Sequence, residues 1–175
     1  MSLVVEDGTG LSNADALISV AFADSYHTAN GNSTWTGDDS LKEQAIRRAT
    51  AFISSGYAWA GYRTRGRKQS LAWPRAGVVD REGYAILIDE IPVEVKNAVA
   101  EIALRELVSP GAMNPDFIAA SVVKREQVGS LSVEYANSFI SAESQRPVLM
   151  AVADMISQFL CGGGSSSLVG EAYRV

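Results

Sequence analysis

From Ile91 to Leu107 the chain reads IPVEVKNAVAEIALREL. Val95, Ala98, Val99, Ile102, Ala103 and Leu107 recur at helical spacing, the clearest amphipathic pattern in the sequence. Pro92 suits the first position of a helix, where its missing N–H costs nothing, and Ser109-Pro110-Gly111 supplies the stop. The segment is predicted to be the central core helix of a mainly α protein.

Moving toward the N-terminus, Tyr84 to Asp89 reads as a short extended run, preceded by turn formers at Asp80-Arg81-Glu82-Gly83. Before it stands a stretch that concentrates aromatics at Tyr57, Trp59, Tyr62 and Trp73 with cations at Arg63, Arg65, Arg67, Lys68 and Arg75. Arg65-Gly66-Arg67 is predicted to be an exposed loop tip, and Trp73, held extended by Pro74, to be buried. Arg63, Arg65, Arg67 and Lys68 beside aromatics could meet phosphates and stack bases. The plainer reading is a solvated loop whose arginines pair with carboxylates of a neighbouring chain, and it carries more weight on the residues alone.

A helix is expected from Leu41 to about Gly56, with Ser40 and Glu43 at capping-box spacing and Leu41, Ala45, Ala49, Phe52 and Ile53 on its apolar stripe. Ser19 is a predicted N-cap for a short helix over Val20 to Thr28. Its His27 has no Ser, Cys or paired carboxylate nearby in sequence, which favours a packing or hydrogen-bonding role over a catalytic one. Leu3 to Val5 reads as a short strand or arm closed by Asp7-Gly8-Thr9-Gly10. That closing sequence lacks the Lys-Ser/Thr of a phosphate loop.

Toward the C-terminus the period changes to two over Val122 to Tyr135, with Gly129-Ser130 at the centre, a β-hairpin signal. A last helix is expected from near Pro147, carrying Leu149, Val152, Ile156, Phe159 and Leu160. Gly162-Gly163-Gly164 ends it. Residues 1–161 are therefore read as one helical domain and 162–175 as a flexible docking arm, in which Leu168, Val169, Tyr173, Arg174 and Val175 are the partner-binding candidates.

Composition narrows the function classes. The chain has 175 residues, 47% hydrophobic, with 15 Lys plus Arg against 20 Asp plus Glu and a formal net charge of -5. A basic duplex-coating protein shows the opposite balance. With Cys161 the single cysteine and His27 the single histidine, no intramolecular disulfide can form and a cysteine–histidine metal site is not expected. No nucleophile, base and oxyanion grouping stands out, so neither an enzyme nor a cofactor is expected. Met1 to Asp7 lacks a basic region followed by an apolar run, and no apolar stretch approaches the roughly 20 residues of a membrane span, so a soluble, unsecreted protein without membrane contact is expected.

Several of these features together resemble a known family: Leu3-Val4-Val5-Glu6-Asp7-Gly8-Thr9-Gly10, then Ser19 to His27, then Leu71-Ala72-Trp73-Pro74-Arg75 with Gly77 and Asp80, then Ile91-Pro92 and its helix. Across nearly its whole length the chain resembles head-to-tail adaptor proteins of long-tailed bacteriophages, also called connector or head-completion proteins. The resemblance implies a small helical bundle with a β-hairpin, assembled as a ring, usually a dodecamer. The ring would sit between the portal protein and a tail-side neck, stopper or tail-terminator protein, in the virion neck, after assembly in the host cytoplasm. Genomic DNA would pass through its channel, and the C-terminal arm would dock on the portal. Phe22 departs from the resemblance, which leads one to expect a polar or acidic residue there. Relatives of such sequences also carry the label of primosome-like single-stranded-DNA-binding replication proteins. That reading is the alternative, and the acidic net charge weighs against it.

Overall fold

A computed structural model describes residues 2–114, 125–128, 131–134 and 149–162. Four helices, α1 (Val20–Ala29), α2 (Asp39–Gly56), α3 (Val93–Val108) and α4 (Met150–Ile156), carry the architecture, and a 3₁₀ turn, Ser157–Phe159, extends α4. Strands β1 (Tyr62–Arg63) and β2 (Arg75–Ala76) form a minimal antiparallel pair, and β3 (Arg125–Val128) with β4 (Leu131–Glu134) forms the hairpin. The protein is mainly α with a β-hairpin.

The helix read from Ile91 to Leu107 is the centre of the molecule. It packs along α2 on one side and α4 on another, and Val95, Ala98, Val99, Ile102 and Ala103 are fully buried. Burial extends past a single stripe to Ala100, Leu104 and Glu106 because neighbours surround the helix. Pro92 sits one place earlier than expected, at the N-cap, where its carbonyl accepts from the amides of Val95 (3.1 Å) and Lys96 (3.2 Å).

Helix α2 departs from the sequence reading at its start. Asp38, not Ser40, caps it, with the Asp38 carboxylate accepting from the Leu41 amide at 2.9 Å. Ser40 already lies inside the first turn, so the capping box is not formed, and Glu43 instead faces Arg47 at 3.7 Å. Leu41 stays 49% exposed, and the core stripe begins at Ala45. Ser19 does cap α1, accepting from the Phe22 amide at 3.1 Å, and Phe22 itself packs half-buried against the core.

Three charged pairs among the described residues tie α2 to the rest, the first from Lys42 Nζ to Asp24 of α1 at 2.8 Å. Arg47 Nε donates to Asp15 at 2.8 Å, and Arg48 Nε donates to Glu106 of α3 at 2.8 Å. Glu106, 2% exposed, also accepts from the amides of Gly111 (2.7 Å) and Met113 (3.1 Å), so a single carboxylate closes the turn after α3 and locks it to α2.

The hairpin register sets Val128 opposite Leu131, which leaves the two-residue connection expected at Gly129-Ser130. Those two residues, Val122 to Lys124, Tyr135, Pro147 and the arm from Gly163 to Val175 lie outside the described residues. After α4 the chain pairs with the aromatic stretch: the Ala60 amide donates to the Phe159 carbonyl (2.9 Å) and the Cys161 amide to Ala58 (2.7 Å).

Candidate functional site

The aromatic and cationic stretch divides into a buried base and an exposed tip. At the base, Trp73 is wholly buried and Trp59 is 6% exposed, and their rings meet edge to face at 5.5 Å, with Phe159 following at 5.7 Å from Trp73. Trp59 Nε1 donates to the Ile53 carbonyl at 3.1 Å. The Trp73–Pro74 peptide bond is cis.

Arg75 belongs to this base. Its guanidinium donates to the carbonyls of Ala60 (2.6 Å), Gly61 (2.8 Å), Ala72 (3.1 Å) and Trp59 (3.3 Å), and no carboxylate faces it among the described residues. Burial, and then the neighbouring Arg63, draw its pKa below the ordinary arginine value, yet a guanidinium stays charged in a protein. Five fixed donors meeting four convergent carbonyls make Arg75 a strut between two loops, unavailable to an outside ligand.

The tip is different. Tyr62 is 68% exposed, and glycine at Gly66, with φ +56, lets the chain reverse into the 3₁₀ turn Gly66–Lys68. Arg63 is half-buried, its Nη1 donating to the Gln69 carbonyl at 3.4 Å, and Arg65 lies along the N-terminal loop with Nε donating to Thr9 O at 3.1 Å. Arg67 and Lys68 are exposed and have no side-chain partner among the described residues. Gln69 anchors the tip from below, donating to the carbonyls of Leu71 and Pro74, both at 3.0 Å. Of the cations read as phosphate contacts, only Arg67 and Lys68 stand free, and Tyr62 is the one exposed aromatic of the four in this stretch.

Beside the tip, the Asp7–Gly10 loop is organised by buried Glu6. Glu6 Oε1 accepts from the amides of Gly8 (3.1 Å) and Gly10 (2.8 Å), and Oε2 from Leu11 (2.9 Å). The amides that a phosphate loop would offer to a ligand are therefore filled by the chain's own carboxylate. Gly8, at φ +102, rests directly on the Asp89 carbonyl, where a Cβ would collide.

The contact of Gly8 with Asp89 separates two depressions. One is edged by Thr64, Arg65 and Ile88, and Thr64 Oγ1 donates to the Ile88 carbonyl at 2.7 Å. The other, a groove of about 550 Å³, is lined by Glu6, Asp7, Asp89 and Glu90 with Leu87 and Val93, and by Lys96 as its only cation among the described residues. Leu87 (65%), Val93 (57%), Ile88 and Tyr84 are exposed, so the run expected to be extended is an apolar rim. Sequence reasoning missed this rim. Its signal is the adjacent apolar pair Leu87-Ile88 set directly before Asp89-Glu90, with no alternation to bury one face.

His27 has the structural role expected of it. It is 1% exposed, stacked on Trp35 at 4.6 Å, with Nε2 donating to the Ala100 carbonyl (3.2 Å) and Nδ1 accepting from Asn32 Nδ2 (3.0 Å). Burial lowers its pKa. Cys161 Sγ donates to the Trp59 carbonyl at 3.1 Å. Leu168, Val169, Tyr173, Arg174 and Val175 lie outside the described residues. No three His, Cys, Asp or Glu side chains among the described residues group as metal ligands, and no described helix is long and apolar enough to cross a membrane.

Among curated proteins and among solved structures, nothing matches this chain. A family model described as "Putative DnaT-like ssDNA binding protein" matches residues 1–175, the whole chain, and the protein belongs to that family.

Proposed function

We propose that this protein is a head-to-tail adaptor of a long-tailed bacteriophage, a ring subunit joining the portal to a tail-side neck protein and continuing the DNA channel. The observation that carries this reading is the division of the cationic stretch. Trp59, Trp73 and Arg75 are consumed in holding loops together, so a single-strand binder's row of stacking rings along a basic groove is reduced to Tyr62, Arg67 and Lys68. The N-terminal loop that opens the adaptor resemblance is braced by the chain around it. The Glu6–Gly10 loop rests on Asp89, Arg65 spans Thr9, and Ser70 Oγ donates to the carbonyls of Leu11 (3.1 Å) and Ala14 (2.8 Å). They build a braced scaffold with an exposed apolar rim, which suits a subunit of an assembly. The acidic net charge suits a channel through which DNA must slide. The reading includes no catalytic step and no cofactor.

The second reading, a single-stranded-DNA-binding replication accessory protein, is favoured by the family description and by Tyr62 standing beside Arg65, Arg67 and Lys68. One pair of measurements separates the two. Electron microscopy of the protein mixed with its portal is expected to show a ring seated on the portal. Fluorescence anisotropy is expected to show only weak, salt-sensitive single-strand binding. Submicromolar affinity at physiological salt, lost in Tyr62→Ala/Arg67→Ala/Lys68→Ala, would transfer the protein to the second reading. Within the adaptor reading, residues 162–175 are the portal-docking arm, and truncation after Gly164 is expected to weaken portal attachment while leaving helical content unchanged.

A further inference from the structure

We infer that the tip of one copy, Arg67 and Lys68 with Tyr62, docks in the acidic groove of a second copy of this chain, against Asp89, Glu90, Leu87 and Val93. The inference deepens the adaptor reading by naming the contact that would build its ring.

Charge selects the partner surfaces. Copies carrying a net charge of -5 repel one another, so a stable self-contact has to bring opposite charges together locally. Arg67 and Lys68 are exposed neighbours with no carboxylate partner among the described residues, and Arg65 beside them adds a third charge. The groove supplies the complement: four carboxylates, Glu6, Asp7, Asp89 and Glu90, against the single cation Lys96. The carboxylates of Glu6 and Asp7 already accept hydrogen bonds within their own loop, whereas those of Asp89 and Glu90 have no side-chain partner among the described residues. Each patch carries its own apolar surface. Tyr62 stands beside the cations, and Leu87 and Val93 line the acids, so docking would remove apolar area from water as it pairs charge.

Position is also suitable. No residue from Tyr62 to Lys68 lines the groove of the same copy, so one copy's tip is not folded into its own groove. A tip entering the next copy's groove is a heterologous contact, which repeats and closes into a ring when the rotation allows.

The test uses two exposed double reversals of the full chain, Arg67→Glu/Lys68→Glu at the tip and Asp89→Lys/Glu90→Lys in the groove, followed by sedimentation velocity over a range of salt. Wild type is expected to self-associate, less so as salt rises. Each reversal alone is expected to weaken association by about tenfold or more, and an equimolar mixture of the two to restore it, since every tip then meets a groove of opposite sign. Thermal melts of both variants, expected to match wild type, separate lost docking from lost folding. A wild type that stays monomeric up to its solubility limit overturns the proposal, as does association that neither reversal disturbs. Loss of portal binding by the groove reversal with self-association intact also overturns it and gives the groove to the portal. The adaptor reading fails separately. A closed dimer abolished by both reversals, with no ring on the portal, keeps the contact and sinks the adaptor.

Discussion

The tip from Tyr62 to Lys68 and the base around Trp73 and Arg75 share a composition, aromatics beside cations, and have opposite surroundings. Arg75 is enclosed by four carbonyls, while Arg67 and Lys68 are exposed with no side-chain partner among the described residues. β1 and β2 even set Arg63 directly across from Arg75, so the boundary between the two regions runs through a single pair of residues. The difference teaches that a cation's role here follows from the backbone around it. Where the loops at Trp59–Gly61 and Ala72 turn their carbonyls inward, a guanidinium is held as a structural part. Where the chain reverses at Gly66, no described carboxylate or carbonyl holds the side chains of Arg67 and Lys68.

The largest way to break the comparison is at the base. Trp73→Ala is expected to cost about 3–5 kcal/mol, because a ring packed against Trp59 and Phe159 leaves a cavity, and urea denaturation measures it. Arg75→Ala is expected to cost roughly 3 kcal/mol by the same assay, since it strands buried carbonyls that now accept from a charged donor. A loss under about 0.5 kcal/mol for Arg75→Ala, typical of a surface site, would move Arg75 from the base to the tip class.

Gly8→Ala is an intermediate case, about 1–3 kcal/mol, because it adds a Cβ to a positive-φ position that rests on the Asp89 carbonyl. It should also disturb the groove, so weakened self-association would accompany the lower melting temperature.

The rule for the base extends to His27, another buried polar group held by a carbonyl, and gives a pH dependence. With the His27 pKa lowered below its ordinary 6.5 by burial, the unfolded chain takes up a proton at pH values where the folded chain does not. The stability it secures is complete above the unfolded-state value and is lost as pH falls through that value toward the folded one. Melting temperature is therefore expected to drop between about pH 7.5 and pH 5.5, and to drop less in His27→Gln. Equal slopes in the two proteins would remove His27 as the cause.

At the tip the expected effect on stability is smallest. Arg67→Ala/Lys68→Ala should stay within about 0.5 kcal/mol of wild type in urea. A larger loss would mean that the tip, too, is structural.

Much of the fold is legible in the sequence alone. The spacing of Val95, Ala98, Val99, Ile102 and Ala103 identifies the central helix, Ser19 its shorter neighbour's cap, and Gly129-Ser130 the length of the hairpin connection, because each signal lies within a turn or two of chain. The start of α2 is less legible, since Asp38 and Ser40 are both good caps, and the choice between them rests on where the helix begins.

The candidate site was legible only in part. Sequence placed the aromatic and cationic stretch and its tip at Gly66, yet could not divide Arg75 from Lys68 or Trp59 from Tyr62. Nor did it show that Glu6 would fill its own loop, that Glu106 would hold Arg48, or that Leu87 and Ile88 would remain outside. Periodicity and capping are properties of neighbouring residues, so the sequence by itself determines them. Whether a polar side chain is buried depends on carbonyls, amides and rings brought from distant segments, Phe159 against Trp73 or Asp89 against Gly8. Tertiary packing alone decides that.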